Sequence, residues 1–186
     1  SRWIYTLTTT NQYSNWSYIA AATSIAAGQG FTMKGVSGSD NTTVLGVQNN
    51  PGNNQRYDFR GKPNDGTINI PVGNSVDGGT GYTESTLTGN PYPSAINLNL
   101  FLLENNGYSV DYVTGVVTPS GSPIINGLAY FWEHQKPATS HTLSDYVGGY
   151  GVYTPNNVNA FSPGTYTSAP WNTYNGDGSP NTSAGS

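Results

Sequence analysis

Short strand-like runs, separated by residues that interrupt regular structure, restrict the fold of this sequence more than any other feature. Runs rich in Val, Ile, Thr, Tyr and Phe are each ended after a few positions by Gly, Pro, Asn or Asp. Because Gly and Pro disfavour the interiors of helices and central strands, long elements are not expected over most of the chain. Short strands at such spacing are typical of antiparallel sandwiches and barrels. The sequence therefore predicts an all-β fold, a jelly-roll-like β-sandwich with long polar loops.

Runs of this type occur from the first residues to the last third of the chain. The predicted strands are Trp3–Thr9, Trp16–Ile19, Gly30–Val36, Thr42–Gln48, Gln55–Arg60, Gly66–Val72, Tyr82–Gly89, Ser109–Thr114, Gly127–Glu133 and Val152–Tyr153. In Gln55–Arg60 the residues Tyr57 and Phe59 fall on one face, which predicts a half-buried strand. An Asp-Gly turn follows it, so this strand and Gly66–Val72 are predicted to form a hairpin.

One segment departs from the strand pattern and predicts a single short helix. Ile96 and Leu100 fall on one helical stripe, Ser94 can cap the start, and Gly107 can adopt the left-handed conformation that ends a helix. We therefore predict a helix near Ala95–Asn105. A strand with alternating apolar residues over the same positions is the alternative, because periodicity alone does not decide short runs.

The length of the chain predicts one domain or two small ones, and we interpret it as a single β-sandwich module over residues 1–186. Residues 162–186 are dominated by Gly, Pro, Ser, Thr and Asn with aromatic residues among them, which predicts an irregular C-terminal segment that covers the module. Because the chain begins with Ser rather than Met, we expect a processed product or a fragment of a longer protein.

The low charge of the chain excludes several classes of partner. Charged residues make up 9% of the sequence, against roughly 25% in ordinary soluble domains. The formal net charge is -4 with six Lys and Arg, so the clustered cations that bind phosphate are missing and no nucleic-acid partner is expected. No apolar run approaches the ~18 residues of a membrane span, so no direct membrane insertion is expected either. The absence of cysteine excludes disulfides and thiolate metal sites.

The ionisable residues do not match a catalytic motif. Glu133, His134, His141 and Asp145 form the densest group, and the last three could in principle hold zinc or a similar ion. Their spacing fits no standard metal motif, however, and neighbouring residues of a strand such as Glu133 and His134 point to opposite faces. No Gly-x-Ser-x-Gly elbow is present. We therefore predict a protein that is not an enzyme, with a strand end and a surface loop at these positions.

No cofactor is expected, and three Asp-Gly pairs, at Asp65, Asp77 and Asp177, offer Ca²⁺ as the alternative. Each pair places a hard carboxylate oxygen beside flexible backbone, which Ca²⁺ accepts as a ligand environment. None of them matches the EF-hand loop, and Asp-Gly is first of all a turn signal. Turns are the main interpretation of these pairs, and calcium binding is the alternative.

Aromatic and amide side chains raise the possibility of glycan binding, because flat rings offer stacking surfaces and amides supply donors and acceptors. The candidate residues are Trp132, Trp171, Tyr92, Tyr130, Asn90 and Asn172. The alternative for Tyr130 and Trp132 is core packing, since they share one strand face. The alternative for Asn90 and Tyr92 is a rigid turn, because two prolines flank Tyr92 and Asn90 can bond the local backbone.

Four phrases in fixed order resemble a known family. They are Ala27–Phe31, Phe59–Gly66, Leu87–Ile96 and Tyr130–His134. Together they resemble a β-rich module of large cell-surface proteins of Bacteroidota, adhesin-like and gliding-associated proteins that use the type IX secretion route. The resemblance covers roughly Trp16–Pro180. It implies an exported module at the cell surface or in the extracellular space, and it implies no activity.

The end of the chain departs from that family pattern. The segment that resembles Asn175–Pro180 is usually followed by a further glycine-rich, aromatic strand, whereas this chain stops at Ser186. We therefore expect a sheet edge that a strand from another module or another copy completes, since unpaired edges are templates for strand addition. The predicted function is a non-catalytic structural or adhesive module of a surface protein or filament, and a carbohydrate-binding module for polysaccharide is the alternative.

Overall fold

The computed structural model describes residues 4–7, 16–33, 40–44, 47–50, 61–73, 85–134, 145–176, 179 and 181. In these residues every strand pairing is antiparallel and a single short helix is present. The predicted all-β class with one short helix is thus confirmed, and the antiparallel sheets are consistent with the predicted sandwich. The chain forms two compact units. The first takes in the described residues up to Gly73 together with residues 85–95, and the second takes in those from Ile96 onward.

The first unit contains a three-stranded and a two-stranded sheet. Its strands are β1 (Ile4–Leu7), β2 (Trp16–Tyr18), β3 (Thr32–Met33), β4 (Asp40–Val44) and β5 (Val47–Asn50). Strand β1 lies between β2 and β3, and the rings of Tyr5 and Tyr18 meet edge to face across β1 and β2 at 5.7 Å. The predicted strand Thr42–Gln48 is instead two strands, β4 and β5, that pair with each other.

Two other predicted strands of the first unit, Gly66–Val72 and Tyr82–Gly89, contain no strand where the structure describes them. Residues 66–72 form no strand, and the predicted strand Gln55–Arg60 lies outside the described residues. Of the predicted strand Tyr82–Gly89, Thr88 forms an isolated bridge with Gln29. Gly30 makes this pairing possible, because a Cβ at this position would run into the backbone of Thr88. The bridge is therefore a close backbone approach that glycine permits.

The helix of the second unit, α1 (Leu98–Asn105), begins later than predicted. The reason is that Asn97 rather than Ser94 caps it, with the Asn97 Oδ1 accepting a hydrogen bond from the backbone N–H of Leu100 at 3.2 Å. The C-terminal end agrees with the prediction, since Gly107 follows with φ of +79°. The helix has eight residues, and no helix in the described part of the chain is long and apolar enough to cross a bilayer.

The helix packs on a hairpin formed by β6 (Tyr108–Val110) and β7 (Val117–Pro119). The small core of this region consists of buried Leu103, Val110 and Ala160, against which Leu100, Tyr108 and Val117 pack. The predicted strand Ser109–Thr114 ends early, because the Asp111 carboxylate accepts a hydrogen bond from the backbone N–H of Val113 at 2.8 Å and so turns the chain.

The largest sheet of the second unit is built around one long strand. Its strands are β8 (Ala129–His134), β9 (Val147–Thr154), β10 (Thr165–Thr167) and β11 (Asn172–Thr173). Strand β8 follows one side of β9, while β10 and β11 pair with opposite ends of β9 on its other side. The segment 162–186, predicted to be irregular, therefore contributes two short strands to this sheet. Residues 168–171 lie opposite residues 149–151, so one extra residue forms a bulge between β10 and β11.

Candidate functional site

One face of the β9-centred sheet collects most of the aromatic residues singled out in the sequence. Directly opposed residues of antiparallel strands point to the same face. Trp132 opposes Tyr150 and Tyr130 opposes Val152, so these four side chains lie on one face. We define the aromatic face by the residues that the register and the alternation of the strands place there. Among the residues whose side chains the structure describes, they are Tyr130, Trp132, Tyr150, Val152, Thr154, Thr165, Thr167, Asn172 and Tyr174.

The rings on this face are accessible rather than packed in a core. Tyr130 is 47% exposed, Trp132 39% and Tyr150 50%. A sheet that another layer covered on this side would bury these rings, since large aromatic side chains are the main contributors to packed cores. Tyr130 and Trp132 therefore do not follow the core-packing alternative, and their rings can contact a partner.

Trp132 is held in place by two neighbouring rings. Its ring centroid lies 5.1 Å from that of Tyr150, edge to face at 69°, and 5.6 Å from that of Tyr174, tilted at 50°. Tyr174 is anchored in turn, because its hydroxyl donates a hydrogen bond to the carbonyl of Gly148 at 3.1 Å. Each such ring pair contributes about 0.5–1.5 kcal/mol beyond the area it buries. The exposed indole is thus presented in a defined orientation.

The aromatic face is electrically neutral over the residues whose side chains the structure describes. Burial raises the pKa of the Tyr150 phenol, and the neighbouring Tyr174 raises it further. Burial also raises the pKa of Tyr174, against the opposite effect of a hydrogen bond with the Asn172 side chain. Both phenols therefore stay protonated at physiological pH, and no described side chain on this face carries a charge.

Glu133 points to the opposite face of the sheet and ties its strands together. Its Oε1 accepts a hydrogen bond from the Tyr166 hydroxyl at 2.5 Å, and its Oε2 accepts one from the backbone N–H of Ala169 at 3.0 Å. The glycines of β9 leave room for this arrangement, since a Cβ on Gly151 would collide with the Tyr166 phenol. These hydrogen bonds lower the pKa of Glu133, the bond from Tyr166 most, and they raise the pKa of Tyr166.

The metal hypothesis requires His134, His141 and Asp145 to lie close together. In the register of β8 and β9, Glu133 opposes Gly149 and points away from the aromatic face, while His134 ends β8 opposite Gly148. Asp145 is exposed just before β9, and His141 lies outside the described residues. Across the described ranges, no group of three or more His, Asp and Glu residues could hold a metal ion.

The calcium candidates are not brought together in the described chain. Asp65 is exposed in a loop of the first unit, and Gly66 after it has φ of +72°, which is the backbone conformation of a turn. Asp77 and Asp177 lie outside the described residues. Calcium binding at these positions stays a prediction.

Asn90 and Tyr92 belong to the first unit and serve a turn. The Asn90 Oδ1 accepts a hydrogen bond from the backbone N–H of Tyr92 at 3.1 Å, and its Nδ2 donates to the carbonyl of Ser94 at 2.6 Å. The Tyr92 hydroxyl donates to the carbonyl of Gly66 at 2.7 Å. These contacts follow the turn interpretation of the motif, and the two residues belong to the first unit whereas the aromatic face belongs to the second.

The remaining two glycan candidates, Trp171 and Asn172, lie at the start of β11. Asn172 is the first residue of β11 and lies on the aromatic face opposite Gly148. Trp171 lies in the bulge just before it and is 52% exposed. The structure therefore brings Tyr130, Trp132 and Asn172 together on one face, with Trp171 adjacent to Asn172 in the chain.

Tyr150 and Tyr174 were missed by reasoning from the sequence. Tyr150 lies in the run Gly148-Gly149-Tyr150-Gly151, and glycine is depleted in strands, so the run does not indicate the long central strand that it forms. Contacts distant in the chain fill the space beside these glycines, since Gly151 lies against the Tyr166 ring and Gly149 against Pro170 and Ala169. Tyr174 could have been found from its alternation with Asn172, had β11 been predicted.

Comparison with known proteins yields one family. No curated protein and no solved structure shows significant similarity to the chain. A family model described as a domain of unknown function, DUF8693, matches residues 1–180. Since the match covers nearly the whole sequence, the chain belongs to the DUF8693 family.

Proposed function

We propose that this chain is a non-catalytic structural or adhesive module of an exported cell-surface protein. The observation that supports this proposal is the aromatic face, on which Tyr130, Trp132 and Tyr150 are each between about two fifths and one half exposed. Accessible clusters of large aromatic side chains on soluble proteins mark surfaces that bind a partner. Glu133, which follows Trp132 in the sequence, does not add a charge to this face, because Tyr166 and Ala169 bond both of its carboxylate oxygens on the other face.

The proposed extracellular location rests on composition and on family resemblance. A chain with 9% charged residues and abundant Asn, Thr and Tyr has the composition of extracellular β-proteins. The phrases from Ala27–Phe31 to Tyr130–His134 resemble modules of type IX-secreted surface proteins of Bacteroidota. We propose the same setting for this chain, with other copies or other modules of the surface protein as its partners.

The proposed contact is driven by apolar burial and neutral hydrogen bonds. Burying apolar surface contributes about 25 cal/mol per Å², and this term needs no opposite charges. Sheet edges supply a second mode of association, because β8 and β10 each pair with β9 alone among the strands that the structure describes. An unpaired edge offers backbone donors and acceptors to a strand of a neighbouring module.

The proposal predicts adhesion that salt hardly affects. Since the screening length falls from about 10 Å at 0.1 M salt to about 3 Å at 1 M, contacts between charges weaken over this range while neutral contacts do not. The test is to immobilise the full chain, to measure self-association and attachment to bacterial cell surfaces at both salt concentrations, and to repeat this with Trp132→Ala.

Phe131→Ala is the matched control for that experiment. Phe131 is the neighbouring residue on β8, is 46% exposed and points to the opposite face. We expect attachment that is equal at low and high salt, lowered by Trp132→Ala and retained by Phe131→Ala. A steep loss of attachment with salt, or equal effects of the two substitutions, would contradict the proposal.

A carbohydrate-binding module is the second candidate function. The specific observation in its favour is that three of the residues selected for glycan binding, Tyr130, Trp132 and Asn172, share the aromatic face. Rings and a neutral amide on one accessible surface are the combination that sugar recognition requires.

A further inference from the structure

We infer that the aromatic face binds an uncharged polysaccharide. Its sugar rings stack along β8, and its hydroxyl groups bond to Thr167 on β10 and Asn172 on β11, across β9 from the rings. The inference rests on the second candidate function above. It adds the charge class of the ligand, the direction in which the chain of sugars lies, and two residues with roles in binding.

The sheet divides the aromatic face into an aromatic half and a hydrogen-bonding half. Tyr130 and Trp132 on β8 lie beside Tyr150 on β9. On the other side of β9, Thr167 of β10 opposes Val152, and Asn172 of β11 opposes Gly148. Since neighbouring strands are about 4.8 Å apart, the two halves are separated by about 10 Å. This separation exceeds the width of one sugar ring, so a ligand stacked along β8 touches the other half through hydroxyl groups or branches that extend across β9.

The aromatic half offers stacking positions in series. Tyr130 and Trp132 are two residues apart on β8 and point to the same side, which spaces them by about 7 Å along the strand. A pyranose ring has a face of C–H groups that packs on an aromatic ring, and such a ring in an extended polysaccharide is followed by another in nearly the same direction. The row therefore fits a chain of sugars lying along β8 better than it fits a single sugar.

The other half supplies groups that match sugar hydroxyls. A threonine hydroxyl both donates and accepts, and an asparagine amide donates through nitrogen and accepts through oxygen. Thr167 is exposed, and Asn172 is half-buried beside Tyr174. Because both residues are uncharged, they can bond to hydroxyl groups without the cost of removing an ion from water.

The absence of charge on the described face selects for a neutral ligand. An anionic polysaccharide would place carboxylates or sulfates against the negative faces of Tyr130, Trp132 and Tyr150, with no described cation on the face to pair them. Ionised groups held this way lose hydration without a compensating partner. Neutral polysaccharides avoid this penalty, so charge complementarity favours them.

Tyr174 acts as a positioning residue. Its contact with the Trp132 ring, together with its hydrogen bond to Gly148, holds the indole before any ligand arrives. Such preorganisation lowers the conformational cost of binding. Removing the Tyr174 ring is therefore expected to weaken binding through Trp132, and this effect should disappear when Trp132 is already replaced.

The test is affinity electrophoresis of the full chain in gels that contain hydroxyethyl cellulose, galactomannan or alginate, the first two neutral and the third anionic. We expect retardation by a neutral polysaccharide, no retardation by alginate, and no change of the neutral result with salt. Loss of one stacking ring is worth about a factor of ten in affinity. Trp132→Ala should weaken binding about tenfold and Thr167→Ala about threefold.

Controls separate a binding defect from a folding defect. Phe131→Ala, on the opposite face, should bind as the unchanged chain does, and Trp132→Phe should keep most of the binding even if Trp132→Ala fails to fold. Tyr174→Ala should weaken the unchanged chain and leave Trp132→Ala unaffected. Unfolding midpoints of each variant identify those that fold.

Several results would overturn the inference. They are no retardation by either neutral polysaccharide, stronger retardation by alginate, or equal weakening by Trp132→Ala and Phe131→Ala. If polysaccharide binding fails but salt-insensitive self-association is still lost in Trp132→Ala, the inference is wrong and the adhesive function stands, with a second copy of the chain as the occupant of the aromatic face.

Discussion

Replacing Asn99 with leucine should cause a large loss of stability in the second unit. Asn99 lies on α1 and is 6% exposed. Its Nδ2 donates hydrogen bonds to the carbonyls of Ala160 at 3.1 Å and Ser162 at 2.6 Å, and its Oδ1 accepts one from the Tyr153 hydroxyl at 2.7 Å. One amide thus connects the helix to β9 and to the loop that follows it.

The expected magnitude follows from these three contacts. A protein hydrogen bond contributes about 0.5–1.5 kcal/mol net, and a buried group left without a partner costs about 1–3 kcal/mol. Ala160 is 1% exposed, so its carbonyl loses its partner without gaining water. Leucine has the same branching as asparagine but is larger, so overpacking at this buried site adds to the loss. We expect a loss of about 3 kcal/mol, more than a hundredfold in the folding equilibrium.

The measurement is urea unfolding of the full chain, followed by tryptophan fluorescence and far-UV circular dichroism. Tyr153→Phe should cost about 2 kcal/mol, since it removes the hydrogen bond that the hydroxyl donates to Asn99 and the one that it accepts from the backbone N–H of Gly164 at 3.1 Å. Asn105→Ala is the matched control on the same helix, because the Asn105 Nδ2 donates to the exposed carbonyl of Phe101. An Asn99→Leu chain within ~0.5 kcal/mol of the unchanged chain would refute the reasoning, since surface changes have effects of that size.

Two further predictions concern the sheet and the hairpin. Hydrogen bonds lower the pKa of Glu133 below its ordinary value of 4.5, so their stabilisation is present above that pH and is lost as pH falls through the folded value. Glu133→Gln should flatten the acid side of a profile of unfolding midpoint against pH, and an unchanged profile would contradict the assignment. Gly107 has φ of +79° and lies against the backbone of Gly121. Gly107→Ala should lower stability by about 2 kcal/mol or more, and Gly121→Ala, where a Cβ meets open space, should have little effect in the same urea titration.

The sequence predicted those features of the fold that depend on residues close together in the chain. The all-β class follows from short β-branched and aromatic runs between glycine, proline and asparagine. The end of α1 follows from Gly107, because glycine alone takes the left-handed conformation there at no steric cost. The start of α1 was misplaced since Ser94 and Asn97 are both competent caps, and sequence does not rank two caps that lie three residues apart.

Strands that depend on contacts between residues distant in the chain were missed or predicted too short. The glycines of β9 lie in a strand because β8, β10 and β11 pair with it, with Tyr166 packed against Gly151 and the Tyr174 hydroxyl bonded to the carbonyl of Gly148. Segment 66–72 has strand-like alternation but no strand partner among the described residues, so pairing overrode its intrinsic preference.

The aromatic face shows most clearly which features follow from the sequence and which depend on the tertiary structure. Alternation in the sequence placed Tyr130 and Trp132 on the same side of one strand, and composition established that few charges could accompany them. Whether that side met a core or solvent depended on the tertiary structure, and the presence of Asn172 on the same face depended on how β9 and β11 paired. The physical reason is that a strand has two equivalent faces, and only burial against the rest of the molecule distinguishes them.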